Sequence, residues 1–311
     1  MEDYIFMEVI SLLMRQNVIM FIYMFIGIFL YKKKLLTTAG SGDIGKLLLY
    51  IIMPVAILKS YLQQFSMELL GALGISFVAS LIALLVSILI SKLAFGKKYP
   101  IEHFGAAFSN AGFIGIPLVQ MTLGQDAVFY VASFVAILNI LQWTYGVFVI
   151  TDGQNRISIR TILTNPIVIS FAAGLLLFFF PLQMPELVTS VLSTISAMNG
   201  PLAMIVMGAY LGQLTLKELF LDPAVYVCSL VRLLLLPLAT ILILSVLPKE
   251  YLVLKQTILI AAAAPVGANV AIFASLHHKN YTQAVKDVCL STVLCIISYP
   301  LILAIANLLW M

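Results

Sequence analysis

The chain has 311 residues, of which 62% are hydrophobic and only 10% charged, with 17 Lys/Arg against 13 Asp/Glu. A water-soluble domain carries about a quarter charged residues, so this composition excludes a fully solvated surface and requires lipid as the solvent. The net charge of +4 makes no case for nucleic acid and informs only through its placement in loops.

A helical span of the bilayer needs about 20 apolar residues, and runs of that kind between polar breaks predict ten helices. The N-terminal MEDYIF is acidic and lacks the basic start of a signal peptide, so the first run, 9–31, reads as a membrane helix with Arg15 placed to snorkel. Spans at 43–62 and 68–95 follow. The fourth, 101–123, contains FSNAGFIGIPLVQMTLG, and the fifth, 126–150, carries Asn139, Trp143 and Tyr145. TDGQNRISIR at 151–160 is the most polar stretch and reads as a short cytoplasmic linker between a first five-helix repeat (1–150) and a second (161–311). The second half gives spans at 163–181, 186–212, 219–247, 252–276 and 283–310. Arg232 lies in VCSLVRLLLLPL of the eighth, and AAAAPVGANVAIFAS belongs to the ninth. Lys286 and Asp287 at the start of the tenth read as interfacial, as do His103, His277 and His278. Cys228, Cys289 and Cys295 sit in apolar runs with no CxxC spacing, so neither a metal nor a cofactor is expected.

Landmarks recur between the halves. Gly27 and Gly174, and likewise Pro54 and Pro201, share an offset of 147, and Pro117 and Pro265 an offset of 148. With an odd number of spans per repeat, the second copy enters the membrane from the opposite side, which is the inverted repeat of secondary transporters. Lys32, Lys33, Lys34, Lys46, Lys92, Lys97, Lys98, Arg156, Arg160, Lys217 and Lys279 fall in alternate loops; the opposite loops hold Lys59, Lys249 and Lys255. That bias places the first set in the cytoplasm and both termini outside the cell membrane.

Gly112, Gly115 and Pro117 interrupt the fourth span, and Pro265 and Gly267 the ninth. Proline lacks a backbone donor and clashes with the preceding turn, and glycine lowers the cost of unwinding. Paired interruptions in inverted copies point to a midplane binding site. Proline suits the first helical position, so Pro117 and Pro265 are expected to open the second halves and aim positive dipole ends at the midplane. Asn110 and Asn269 lie beside the breaks, and Asn139 and Tyr145 are further candidates for the same cavity. Carboxylates are absent between His103 and Gln125 and between Gln256 and Ser275, which favours an anion as ligand. Arg232 lies near mid-bilayer, where arginine is costly and marks function. It reads equally as an anion contact or as a clamp on carbonyls at the ends of the first half-helices.

NAGFIGIPL, PVGAN, VRLLLLPL and YIIMPVAI, spread over most of the chain, resemble segments of the auxin efflux carrier family, particularly the bacterial members often called malate permeases. The resemblance implies an all-α integral membrane protein of ten transmembrane helices, two inverted five-helix repeats with broken, crossing helices 4 and 9. It also implies alternating-access transport of a small organic acid anion, with Asn110, Gly115, Pro117, Pro265 and Asn269 at the crossover. The linker is far shorter than the cytoplasmic loop of plant members. The absence of a carboxylate at the crossover argues against the sodium coupling of the related bile-acid symporters. An anion channel or uniporter of the same fold is the alternative reading. A membrane-embedded enzyme would need a nucleophile, an acid/base pair or a metal cluster that the sequence lacks. The expected partners are the anion and the lipid bilayer; a homodimer is compatible with the sequence, which fixes no oligomeric state.

Overall fold

The third long helix explains how the chain meets its solvent. Along Met67–Phe95 the buried positions are mostly small: Ala72, Ser76, Ala79, Ser80, Ala83, Ser87 and Ser91. Val78, Ile82, Leu85, Leu89 and Leu93 point outward and are exposed. Large apolar residues outside and small or hydroxylated residues inside reverse the soluble pattern, and small residues let membrane helices approach closely. Ser76 uses that closeness, its Oγ donating to Tyr130 O at 2.9 Å.

The computed structural model describes residues 2–310 except 154–158, 181, 183, 216, 218, 219 and 221. Arg156 and the centre of the expected linker therefore lie outside the described residues. In chain order the helices are α1 (Glu2–Lys32), α2 (Thr38–Ser60), α3 (Met67–Phe95), α4 (Pro100–Ala107), α5 (Ala111–Thr122) and α6 (Val128–Ile150). After a short turn at Ile159–Leu163 come α7 (Pro166–Phe179), α8 (Glu186–Gly212), α9 (Pro223–Leu244), α10 (Leu252–Ala263), α11 (Asn269–Leu276) and α12 (Tyr281–Trp310). Six of these, α2, α3, α6, α8, α9 and α12, are long and apolar enough to cross a membrane. The described residues form no strand beyond one isolated bridge.

Local chemistry sets the ends. Thr37 Oγ1 accepts from Gly40 N at 3.0 Å and Ser66 Oγ from Leu69 N at 3.1 Å, capping α2 and α3. Asn165 and Asp222 cap α7 and α9, each followed by proline at the first helical position. Gly96, at φ +56°, ends α3 in a conformation that side chains resist. Pro54, Pro117 and Pro237 each follow one residue after a wider turn, at Leu48–Ile52, Ala111–Gly115 and Val231–Leu235. Those turns bond five residues back, which makes room for a ring that would otherwise strike the carbonyl one turn earlier.

The two halves of the chain interleave. α1 packs on the second part of α8, and α7 packs on α2. At the first contact Gly27 and Gly208 leave no room for a Cβ, which would strike the backbone of Ile205 or Met24. At the second, a Cβ on Gly174 would enter the Tyr61 ring. The remaining helices form a second group around α3, α6, α9, α10 and α12. Contacts also gather alternate loops at one end: Lys279 pairs with Asp152 at 2.9 Å, Lys286 with Asp222 at 3.3 Å, and His103 Nδ1 meets Gly96 O at 3.1 Å. At the other end Trp310 Nε1 donates to Ser245 Oγ at 2.9 Å and Lys255 Nζ to Leu247 O at 3.3 Å.

Three expectations for single residues need correction. His103 is buried and hydrogen-bonded rather than interfacial. Lys255 is buried within α10, its ammonium 4.9 Å from the Trp310 ring centre, and so is not a loop charge. Asp287, expected at the interface, is 0% exposed. In each case packing of neighbouring helices covers a polar residue within the span, which a hydropathy count cannot register.

Candidate functional site

Two helical paths break where they meet. Between α4 and α5 the chain runs through Phe108, Ser109 and Asn110, and between α10 and α11 through 264–268. Asn110 N donates to Pro265 O at 2.8 Å, Gly267 N donates to Phe108 O at 3.0 Å, and Ser109 and Val266 form an antiparallel bridge. Gly267 must be small: a Cβ there would lie 3.1 Å from both Phe108 O and Ser109 O. Inside a bilayer, peptide groups freed by unwinding need partners, and these two breaks supply them to each other.

The helix ends left at the crossover are closed by side chains from neighbouring helices. Arg232, buried in α9, donates from Nη1 to Ala106 O at 2.8 Å and from Nη2 to Ala262 O. Ser87 Oγ donates to Ala107 O at 2.8 Å, and Tyr299 OH to Ile260 O at 3.0 Å. Ser291 Oγ accepts from Val266 N at 3.0 Å. Arg232 thus joins the last turns of α4 and α10, the clamp anticipated as one of its two readings, and it does not line the cavity.

The cavity beside the crossover has a volume of about 20 Å³ and is lined by Leu49, Met53, Ser109, Asn110, Gly112, Phe113, Leu138, Asn139, Gly267 and Asn269. That is room for about one water molecule. Among the expected residues it brings together Asn110, Gly112, Asn139, Gly267 and Asn269. Gly115 packs against Ala261 and Pro117 against Gly200, both behind the cavity wall. Pro265 contributes its carbonyl to the bridge. The prolines do not open the second halves as expected. α5 begins at Ala111, well before Pro117, and Pro265 lies within its break, ahead of Asn269. The wide turn at Ala111–Gly115 is the cause, because it absorbs Pro117 without ending the helix.

Tyr145 is not in the cavity. Its hydroxyl lies 3.3 Å from His103 Nε2 and its ring stacks near Phe148. Trp143 instead meets Phe273 edge-on at 4.7 Å. Gln142, which the sequence reading passed over, accepts from Asn269 Nδ2 at 2.8 Å. Its signal was its place one turn after Asn139 on the same helix face. Leu49 comes from the wide turn of α2 and Met53 directly follows it, and nothing local in the sequence marks them.

Polar groups at the site are amides, a hydroxyl and main-chain N–H groups. Asn110 Nδ2 makes a long contact to Met207 Sδ, at 3.7 Å, and Asn139 Nδ2 donates to Val135 O at 2.8 Å. Ile114 and Gly115 are the first residues of α5 to bond back, both to Asn110 O. The N–H groups before them have no carbonyl within the helix and carry the positive end of its dipole. Among the described residues no group of three or more His, Cys, Asp or Glu is placed to hold a metal ion. The arrangement suits an acceptor-rich, negatively charged ligand.

Comparison with known proteins identifies a family. The family model described as membrane transport protein matches residues 12–303. No curated protein matches the chain. With nearly its whole length accounted for by that family, and with several helices able to cross a bilayer, the chain is a multi-pass membrane protein belonging to the membrane transport protein family, which is the family of the auxin efflux carriers.

Proposed function

We propose that the protein is a secondary carrier that moves a small organic acid anion across the cytoplasmic membrane by alternating access. The observation that carries this reading is the crossover itself. Two broken helices direct the starts of α5 and α11 toward a cavity edged by Asn110, Asn139 and Asn269, with Gln142 behind. Amide donors and helix N-termini complement a carboxylate, and no carboxylate of the protein lines the cavity to compete. A cavity of about 20 Å³ is too small for an organic anion, so in this reading the anion enters only when the helices around it move.

The same reading takes the chain as ten spans in two inverted repeats, 1–150 and 161–311, joined by the 151–160 linker, with both termini outside. One packing relation supports it. Adding the offset of 147 to Gly27 gives Gly174, and adding it to Tyr61 gives Gly208. Gly27 packs on Gly208, and Gly174 packs on Tyr61. A contact in one copy therefore has its counterpart in the other, as a two-fold axis in the membrane plane requires.

The test is counterflow. Purified protein in liposomes preloaded with unlabelled malate should accumulate labelled malate transiently, because a carrier exchanges faster than it equilibrates. Equilibration without overshoot would mean a channel. No uptake of malate or of other mono- and dicarboxylates would reject an organic anion as substrate.

A further inference from the structure

Asp287, near the start of α12, is 0% exposed. Both of its carboxylate oxygens lack a hydrogen-bond partner among the described residues. The groups around it are engaged elsewhere. Lys286, its neighbour on α12, directs its ammonium to Asp222 at 3.3 Å. Arg232 is held by Ala106 O and Ala262 O, and Cys228 Sγ leans toward Glu102 O at 3.7 Å. The charges facing Asp287 are Glu102 from α4, Asp222 ahead of α9 and Lys286 on its own helix, with the Cys228 thiol also within electrostatic reach from α9. Glu102 is itself buried, 6% exposed. From α8 and α1, Tyr210 and Tyr31 approach Tyr281. Lys255 on α10 sits at the far end of the molecule against Trp310.

An ionised carboxylate enclosed without a donor is among the most costly arrangements in a protein interior, and more so within a membrane. Two acids facing one another add repulsion when both ionise. This conformation therefore accommodates Asp287 as the neutral acid. The main chain around it adjoins the crossover. Ser291, one turn further along α12, accepts from Val266 N–H in the break between α10 and α11, and its hydroxyl is turned by Asp287 O at 2.7 Å and Val288 O at 3.1 Å. Glu102 stands one turn before Ala106, whose carbonyl Arg232 holds.

Resting on the carrier reading above, we propose that the enclosed, unpartnered Asp287 is the proton-binding site that couples the transport cycle to the pH gradient. A proton adds to one Asp287 oxygen, forming an O–H bond, in the closed state. It leaves as the carboxylate gains water or a cation when the surrounding helices part. One proton carried with a monoanion makes that step electrically neutral, and with dianionic malate it leaves one negative charge moved per cycle; no other reactant is needed.

Two readouts test this, one of them independent of any substrate. In infrared difference spectra of purified protein, the C=O stretch of a protonated carboxylic acid should be present in the wild type, lost in Asp287→Asn and retained in Glu102→Gln. A band unchanged in Asp287→Asn would place the proton elsewhere and overturn the proposal. In liposomes, an acid-outside pH gradient should drive labelled malate above its external concentration. Asp287→Asn should lose that accumulation while keeping malate counterflow. Accumulation that survives in Asp287→Asn, or that follows sodium rather than the pH gradient, overturns the proposal. Asp287→Ser is measured beside it, so that a folding failure of one neutral variant leaves the other to decide. Absence of counterflow in the wild type rejects the carrier reading instead, and the infrared band still decides whether Asp287 holds a proton.

Discussion

Arg232 and the asparagines divide the work at the crossover, and single substitutions separate them. Arg232→Lys keeps the charge but loses the planar fork that reaches Ala106 O and Ala262 O together. One buried carbonyl is then left without a donor, which costs about 1–3 kcal/mol, so the variant should melt at lower temperature in detergent. An unchanged melting point with abolished malate binding would make Arg232 an anion contact after all. Asn110→Ala and Asn269→Ala should fold yet bind substrate at least about tenfold more weakly, since a charge-assisted hydrogen bond contributes about 1.5–3 kcal/mol. Titration of malate binding on both purified variants checks this, and normal affinity in both would move the site away from the crossover. Asn110, Gly112, Asn139, Gly267 and Asn269 were legible in the sequence because polar or small residues stood out within apolar runs. Gln142 and Met53 were not, because only the fold decides which face of α6 and which turn of α2 meet the crossover. Tyr145 shows the reverse: expected as a further candidate for the cavity, it lies about a third of a turn away from the Asn139 face, and its hydroxyl meets His103.

At the scale of elements, the all-helical class was readable from apolar length, though among the described residues six helices rather than ten are long and apolar enough to cross a membrane, and Pro and Gly marked the two spans that break. The position of each break was not readable. Proline marks a break only when the helix cannot widen around it, and the turns before Pro54, Pro117 and Pro237 do widen. Ser109 and Asn110, ordinary in sequence, form the first break because Pro265 and Gly267 offer them backbone partners. The α1–α8 contact is governed by steric room instead. Gly27→Leu places a side chain against the Ile205 carbonyl, and overpacking of this kind costs about 1–3 kcal/mol. A clear drop in melting temperature is expected, with a matching drop for Gly208→Leu and a smaller one for Gly71→Leu, where a Cβ meets open space. Equal effects at all three positions would mean that α1 does not pack closely on α8.

For the molecule as a whole, charge placement is the basis for the expected orientation. Most of the lysines of the expected cytoplasmic set lie at 32–34 and 92–98, while Lys279–Asp152 and Lys286–Asp222 tie together other segments. Cysteines introduced singly at Lys33, Lys97 and Arg160 should resist impermeant thiol reagents in intact cells and react after permeabilisation. Labelling of the Arg160 position from outside would overturn the orientation and the inverted repeat with it. Cys228, Cys289 and Cys295 are all buried, so the native background is expected to stay silent in this assay.

The pairing of the two breaks also bears on how the chain is made. Ribosomes deliver α4 and α5 to the membrane long before α10 and α11 exist, so Phe108 O and Asn110 N–H arrive in lipid without the Pro265 and Gly267 groups that satisfy them. The first half must wait, half-assembled, with an unmet demand at its centre, and it becomes resistant to membrane proteases only when the second half is inserted. Cutting the gene within 154–158 turns that order into an experiment. Each fragment alone should be degraded, whereas fragments 1–155 and 156–311 made together should persist and co-purify, held by the bridge and by Arg232.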